Sequence, residues 1–288
     1  MRARAASALL GLAILGGACS EAEQAPAEAF DPPSVAPPTP TEPEPARADE
    51  PEAPAEPPPL AAPETITVTS EDGVRIVGDL RRGEGPEAPL AVLVHQLGSA
   101  RAEWAPLSRR LGALGVATFA FDVRGHGEST ARAGGAEVDW QRFDTEGWEA
   151  VAGDVRAVLG HLREEAGLQP RRVALVGSSI GSSAAILAAA EAPDVDAVVA
   201  LSPGRAYRGV DALSPLSELG ERPLLAVASR GEPPSADTAE AMARIAPAGE
   251  ARLVEGDRHG VGMFEADPES LDAVLTFLRT QLSPDRGP

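Results

Sequence analysis

From residue 65 onward, short apolar runs alternate with longer stretches of helical spacing, and this alternation limits the possible folds more than any other feature. Most of the runs are continuously apolar, as expected for strands buried on both faces of a sheet. The predicted strands are residues 65–69, 74–80, 90–94, 116–121, 172–176, 195–201, 224–228 and 251–254. The predicted helices are residues 104–114, 148–165, 180–190, 235–245 and 271–282.

The order of these elements predicts the fold class. The first two strands flank Glu71-Asp72-Gly73, which is typical of a hairpin turn. An antiparallel start followed by repeated strand–helix units predicts an α/β domain, with a mostly parallel twisted sheet of about eight strands and helices on both faces. Only about 20 residues separate Leu201 from Pro223, which is too few for a large lid.

Charge and proline divide the chain into segments. Its 288 residues carry 44 acidic and 25 basic side chains, and a net charge of −19 makes nucleic-acid binding a poor candidate. Residues 20–64 hold 11 of the acids, one base and 14 of the 28 prolines, so this stretch cannot bury enough apolar surface to fold. We therefore expect a signal peptide at 1–18, a disordered tether at 19–64 and one domain at 65–288.

The N-terminus has the pattern of an export signal. Arg2 and Arg4 precede an apolar stretch and a run of small residues, and Cys19, the one cysteine of the chain, follows directly. This arrangement resembles a bacterial lipoprotein signal, which implies lipidation of Cys19 and a membrane anchor in the cell envelope; Ser20 then favours the outer membrane. The alternative is ordinary cleavage after Ala18. A single cysteine excludes an internal disulfide and a cysteine-based zinc site.

Gly177-Ser178-Ser179-Ile180-Gly181 joins a predicted buried strand to a predicted helix. A tight turn of this kind holds its central serine, here Ser179, in a strained conformation at the carboxyl end of the sheet, and the two glycines remove side chains that would clash. The N–H of Ile180 begins the helix and is placed for a developing oxyanion. The alternative is a turn of small residues that only packs a helix on a strand.

With this motif the chain resembles the α/β-hydrolase superfamily over nearly all of residues 65–286. The other motifs that carry the resemblance are His95-Gln96-Leu97-Gly98, Asp122–Ser129 and Arg258-His259-Gly260. The resemblance implies Ser179 as nucleophile, His259 as its base and the N–H of Leu97 as the second oxyanion donor. Gln96 stands where the family has glycine. The resemblance also implies that His126 is a loop residue, with a catalytic role as the alternative.

Glu232 is the expected acid that orients His259, with Asp237 as the alternative. The family position follows the strand that ends near Ala228, where Glu232-Pro233 is the matching pair. Asp237 competes, although it lies in the first turn of a helix that Ser235 is expected to cap, where the helix dipole alone favours a carboxylate. Asp257 is a poorer match.

These residues predict a serine hydrolase that needs no metal and no organic cofactor. The expected activity is that of a carboxylesterase acting on a small or medium acyl ester, a small-molecule substrate. From their loop positions, Gln96, Trp104 and Tyr207 are expected to line the substrate site. The alternatives are a non-catalytic binding protein of the cell envelope on the same fold, or a peptidase, thioesterase or dienelactone-type hydrolase.

Overall fold

The computed structural model describes residues 61–283. The predicted signal peptide, Cys19 and residues 20–60 of the predicted tether lie outside this part, as do residues 284–288. Within the described residues, no helix combines the length and the apolar character that a membrane span requires.

One eight-stranded sheet organises the domain, with strand order β1-β2-β4-β3-β5-β6-β7-β8. Its first two strands pair antiparallel, β2 pairs antiparallel with β4, and all other neighbours are parallel. The predicted mostly parallel sheet of about eight strands is therefore confirmed. The strands are β1 Glu64–Thr69, β2 Arg75–Arg81, β3 Leu90–Val94, β4 Ala117–Phe121, β5 Val173–Ser178, β6 Ala197–Leu201, β7 Leu224–Ser229 and β8 Gly249–Val254.

Helices cover both faces of this sheet, so the core has two layers. Buried residues of α2, α3 and α4 form one cluster with the sheet, and those of α1, α5 and α6 form the other. The helices are α1 Ala105–Gly112, α2 Thr145–Glu164, α3 Ile180–Glu191, α4 Pro233–Ile245, α5 Met263–Ala266 and α6 Pro268–Gln281. The expectation of helices on both faces is confirmed.

The start of α4 differs from the sequence expectation. Ser235 was expected to cap this helix, but the helix begins at Pro233 and Glu232 occupies the capping position. Proline suits the first helical position because its missing N–H would have no partner there and its φ is already helical. Because α4 starts earlier than expected, Glu232 lies directly before the N-terminus of this helix, next to the carboxyl edge of the sheet.

The connection from β6 to β7 is short. It holds two short 3-10 segments, Tyr207–Gly209 and Ser214–Leu219. The carboxyl ends of the parallel strands lie along one edge of the sheet, and the loops that follow β3, β5, β6, β7 and β8 meet there. This edge carries the candidate site.

Candidate active site

Ser179 lies in a strained turn between β5 and α3. Its φ is 55° and its ψ is −120°, a conformation that costs a residue with a side chain about 1–3 kcal/mol. A Cβ on Gly177 would lie 2.1 Å from the carbonyl oxygen of Gly181, and one on Gly181 would lie 2.3 Å from that of Val94. Only glycine fits at both positions, as the sequence motif predicts.

Two hydrogen bonds to backbone carbonyls keep this turn in place. The N–H of Ser179 donates to Leu201 O at 2.8 Å, which ties the turn to β6. The Ser182 hydroxyl donates to Ser179 O at 2.6 Å from within α3. The next N–H, that of Ile180, is the first of the helix, so it has no acceptor one turn earlier in α3. It is thus available to a ligand at the positive end of the helix dipole.

His259 follows β8, and its imidazole meets the carboxylate of Glu232. His259 Nδ1 is hydrogen-bonded to Glu232 Oε1. Asp237, by contrast, is exposed on α4, and the bonds described for His259 include none with Asp237 or Asp257. A carboxylate at Nδ1 keeps the proton on that nitrogen and leaves Nε2 free as a base. Of the candidate acids, the fold brings Glu232 to the histidine.

The Glu232 carboxylate is held at the end of the loop that follows β7. Its backbone N–H donates to Ser229 O at 3.0 Å. Its second oxygen, Oε2, is buried and has no hydrogen-bond partner among the described residues. The side chain of Glu232 is 22% exposed and that of His259 is 37% exposed. The pair is therefore sheltered on the glutamate side and open to solvent on the histidine side.

Tyr207, from the β6–β7 connection, lies against the same groups. Its hydroxyl donates to Ser202 O at 3.3 Å and lies 3.2 Å from Ser235 Oγ. Its ring meets that of His259 edge-on, with 6.3 Å between centroids. Burial raises the pKa of the phenol, so the hydroxyl remains a neutral donor. Tyr207 lies in the site, where the sequence places it.

The loop after β3 is a tight turn whose middle N–H is free. Ser99 N–H donates to Gln96 O at 3.2 Å, and Gly98 has a φ of 71°, which a type II turn requires at its third residue. Gly98 N–H donates to His126 Nε2 at 3.2 Å. Among the described residues no acceptor is recorded for Leu97 N–H. Leu97 N–H is therefore available to a ligand, and its role as the second oxyanion donor stays a prediction.

Two buried histidines support this loop. His95 bonds Gln96 O through Nδ1 at 2.7 Å, and its Nε2 accepts from Val123 N–H at 2.9 Å. Burial lowers the pKa of His95 to about 4 and also lowers that of His126, so both rings are neutral. Both nitrogens of His126 contact backbone groups and its ring stacks on Trp140, 5.1 Å between centroids. His126 is a loop residue, as expected.

Gln96 reaches across to the other side of the site. Its Oε1 accepts from the Ser178 hydroxyl at 3.1 Å, and a Cβ on Gly260 would lie 2.1 Å from that oxygen. The amide therefore packs beside the residue that follows His259. Gln96 does not have a positive φ, so a side chain at the family's glycine position brings no backbone strain here.

The expectation for Trp104 is wrong. Its side chain has no exposed surface and belongs to the core cluster with Leu107 and Leu111. The 3-10 turn Arg101–Trp104 directs the indole into the protein interior, beneath the loop rather than into the site. A large apolar ring gains more from burial in this layer than a place in an open loop would provide.

Three residues of the site were missed from the sequence. Ser202, with a φ of 44°, accepts from Gly260 N–H at 2.9 Å, and Ser229 donates to Arg258 O at 2.6 Å. Both hold the loop that carries His259. The signal in the sequence was a serine at the carboxyl end of two apolar strands: Ser202 directly follows β6, and Ser229 ends β7. The third is Glu103, which contacts the loop after β3.

No group of three or more His, Cys, Asp or Glu side chains suited to hold a metal ion occurs within residues 61–283.

Comparison with known proteins places the chain in a family. The model of the family described as serine aminopeptidase, S33, matches residues 86–268. An uncharacterized protein of Salmonella typhi, YfhR, is 31% identical over 125 residues, which are 42% of this chain and 38% of the relative. The same protein of Salmonella typhimurium matches equally. The chain thus spans 38% of the length of these curated relatives.

Solved structures share the fold. An esterase from Pyrococcus furiosus has a TM-score of 0.61 at 20% identity and covers 77% of this chain and 92% of its own. A dienelactone hydrolase from Anabaena variabilis has a TM-score of 0.59 at 21% identity, and the match covers 77% of this chain and 97% of the dienelactone hydrolase. A carboxyl esterase from Bacillus coagulans has a TM-score of 0.61 at 11% identity, and the match covers 77% of this chain and 100% of the esterase.

The family match extends from within the loop before β3 to the start of α6, so it includes the Ser179 turn and the His259 loop. It covers more than half of the 288 residues, and the eight-stranded sheet is the one that the structural neighbours share. The chain belongs to the serine aminopeptidase S33 family of the α/β-hydrolase superfamily.

Proposed function

We propose that this protein is a serine hydrolase that cleaves small or medium acyl esters with Ser179 as nucleophile, His259 as base and Glu232 as acid. The observation that carries the proposal is the hydrogen bond of His259 Nδ1 to Glu232 Oε1, at the edge where the strained Ser179 turn also lies. A serine hydroxyl is a weak nucleophile by itself and needs such an oriented base.

The first step is acylation. Ser179 Oγ bonds to the ester carbonyl carbon while its proton passes to His259 Nε2, and Glu232 stabilises the imidazolium that forms. The oxyanion accepts hydrogen bonds from the N–H groups of Leu97 and Ile180. When the tetrahedral intermediate collapses, the carbon–oxygen bond to the alcohol breaks and the alcohol takes the proton from His259. The acyl group remains on Ser179.

The second step returns the enzyme. His259 takes a proton from water, the resulting hydroxide oxygen bonds to the acyl carbon, and the same two N–H groups hold the second oxyanion. The bond to Ser179 Oγ then breaks and the serine recovers its proton from His259. Atoms and charges balance with water as the second reactant.

The surroundings of the site limit the size of the substrate. The β6–β7 connection holds only two short 3-10 turns, and His259 is 37% exposed, so the site is shallow and open. Such a site favours short acyl chains over long ones, which need an apolar tunnel or lid to leave water. The acidic excess of the chain disfavours polyanionic substrates.

A second candidate is peptide hydrolysis, favoured by the description of the matching family as serine aminopeptidases. The chemistry at Ser179 is the same, with an amine as leaving group. The names of the structural neighbours, esterases and a dienelactone hydrolase, favour an ester or lactone instead.

A labelling experiment tests the reaction class. A fluorophosphonate probe should label the wild-type protein and the Ser217→Ala variant, which loses an exposed serine, but not Ser179→Ala. Kinetics on p-nitrophenyl esters of graded chain length and on aminoacyl p-nitroanilides then separate the two candidates. Highest kcat/KM on short esters is expected. Absence of Ser179-dependent labelling would reject both and favour a non-catalytic binding protein.

We also propose that Cys19, outside the described residues, carries a lipid that anchors the domain in the cell envelope, and that the acidic, proline-rich tether holds it away from the membrane. Metabolic labelling with a fatty acid should mark the protein and be lost in Cys19→Ser. Equal labelling of both, or of neither, would contradict the anchor and leave cleavage after Ala18 as the alternative.

A further inference from the structure

Glu103 is a largely buried carboxylate at the edge of the site that the proposed mechanism does not use. It lies in the 3-10 turn Arg101–Trp104, between the loop after β3 and α1. Its chain neighbour Trp104 is fully buried in the core, which fixes the backbone of this turn. The Glu103 side chain points the other way, toward the loop that contains Leu97.

One carboxylate contacts both ends of that loop. Glu103 Oε1 accepts from Gln96 N–H at 3.2 Å, and Oε2 accepts from the Ser99 hydroxyl. Gln96 and Ser99 are the first and last residues of the turn that Ser99 N–H closes on Gln96 O. The two residues between them, Leu97 and Gly98, are therefore enclosed by contacts at each end.

These contacts determine where Leu97 N–H points. Because a peptide group is planar and trans, Leu97 N–H is directed opposite to the carbonyl of Gln96. That carbonyl oxygen is bonded by His95 Nδ1 at 2.7 Å and by Ser99 N–H at 3.2 Å. Glu103 fixes the next peptide group back, through Gln96 N–H, and the side chain of Ser99. Together they allow the Leu97 N–H one orientation.

The arrangement has an energetic cost that packing does not explain. Glu103 forms no ion pair with any residue of the described range, and burial raises its pKa to about 7 against the hydrogen bonds from Ser99 and Gln96. The nearest arginine in sequence, Arg101, is paired instead with Asp79, Asp122 and Glu128. A buried carboxylate without a cation destabilises the folded state, so an apolar residue would stabilise the fold more.

We propose that Glu103 is a positioning residue for the oxyanion site: it holds the Gln96–Ser99 turn so that Leu97 N–H is oriented before substrate binds. This inference rests on the proposed function. A preorganised donor acts on the charge that develops in the transition state and has little effect on the neutral substrate. Loss of Glu103 should therefore reduce kcat and leave KM nearly unchanged.

The test compares three variants with the wild-type chain on a short p-nitrophenyl ester. Glu103→Ala should lower kcat about 10–100-fold and leave KM within about 3-fold of wild type. The loss of a single oxyanion donor lowers kcat by about 10²–10³-fold, and in this variant the Leu97 N–H remains present but is no longer held in one orientation. Glu103→Gln keeps an acceptor for Gln96 N–H, so it should recover to within about 5-fold of wild type. Glu164→Ala removes an exposed glutamate of α2 and should behave as wild type.

Further variants keep the inference falsifiable. Ser99→Ala removes the other contact and should lower kcat less than Glu103→Ala; if Glu103→Ala does not fold, Ser99→Ala and Glu103→Gln carry the test. The inference is overturned when kcat is unchanged in Glu103→Ala, or in Ser99→Ala in its place, when only KM rises, or when Glu103→Gln recovers nothing. An inactive, unlabelled wild type would reject the proposed function and this inference together; an active wild type with unaffected variants rejects the inference alone.

Discussion

Glu232 Oε1 is hydrogen-bonded to Nδ1 of His259, across 27 positions of the chain. Glu232→Ala should lower kcat/KM by about 10²–10⁴-fold, because the imidazole loses both its orientation and the partner of its positive charge. Glu232→Gln should be no better than the alanine variant, since an amide N–H donated to Nδ1 stabilises the tautomer with the proton on Nε2.

Asp237→Asn serves as the matched control for this prediction. Asp237 is exposed on α4, so the substitution should leave kcat/KM within about 2-fold of wild type. Steady-state kinetics on a short ester measure all three variants. Activity that survives in Glu232→Ala but is lost in Asp237→Asn would mean that Asp237, and not Glu232, is the acid that orients His259.

Ser179 stores strain, and stability measurements should detect it. Its φ of 55° and ψ of −120° suit glycine, so Ser179→Gly should be more stable than Ser179→Ala by about 1 kcal/mol, after the larger entropy of glycine in the unfolded chain is subtracted. Urea unfolding of the two inactive variants at one pH gives the difference. Equal stability, or a more stable alanine variant, would mean that the turn is not strained.

Gly181 is a position where any side chain disrupts the site. A Cβ there would lie 2.3 Å from Val94 O, so Gly181→Ala must push α3 away from β3. We expect a loss of about 2–4 kcal/mol in the free energy of unfolding and a large loss of the proposed esterase activity. Gly160→Ala is the control: nothing lies within 4 Å of its added Cβ in α2, so it should stabilise by about 0.5–1 kcal/mol.

Glu103 predicts a pH dependence of stability. Burial raises its pKa from the ordinary 4.5 to about 7, so the folded protein binds more protons than the unfolded chain between these values. The cost of the charge is absent below about pH 4.5, grows as the pH rises and is complete above about pH 7. Residue 103 cannot ionise in Glu103→Gln. As the pH rises over this range, the free energy of unfolding of this variant should therefore increase by about 1–3 kcal/mol relative to that of wild type.

Urea unfolding of wild type and Glu103→Gln at a series of pH values between about 4.5 and 8 measures this difference. A difference in the free energy of unfolding between the two proteins that does not change with pH would contradict the raised pKa of Glu103. A gap that changes in the opposite direction would mean that the carboxylate is stabilised when charged.

Tyr207 should contribute to turnover through its hydroxyl. The phenol oxygen lies 3.3 Å from Ser202 O and 3.2 Å from Ser235 Oγ, beside His259. Tyr207→Phe keeps the ring against His259 and removes these contacts, so we expect kcat to fall about 2–12-fold, the loss of about one hydrogen bond of ordinary strength. Unchanged kcat would limit Tyr207 to a packing role. A circular dichroism spectrum and the unfolding midpoint should stay as in wild type.

Much of the fold follows from local patterns. Continuous apolar runs predicted the buried parallel strands, and all eight occur within a few residues of the expected positions. The strained turn at Ser179 was predictable because its cause is local: two glycines and a serine between a strand and a helix. The position of His259 after the last strand was likewise marked in the sequence by the family motif.

The sequence favoured Glu232 over Asp237 as the acid only through the family resemblance, because no local pattern separates the two residues. Both follow β7; by local signals Glu232 lies just before the helix and Asp237 lies in its first turn. Their separation depends on where α4 begins: two prolines start it at Pro233, which leaves Glu232 at the sheet edge and turns Asp237 to solvent. This outcome depends on contacts with residues 27 positions away, which no local period records.

The sequence by itself determined the strands, the Ser179 turn, its Ile180 N–H and the family. Only the tertiary structure decided that Trp104 packs in the core, that His95 and His126 support the β3 loop, and that Glu103 holds its two ends. The physical reason is the range of the interactions. Strand and turn preferences come from steric effects between near neighbours, whereas the fate of a buried tryptophan or carboxylate depends on groups that approach only after the sheet and helices have packed.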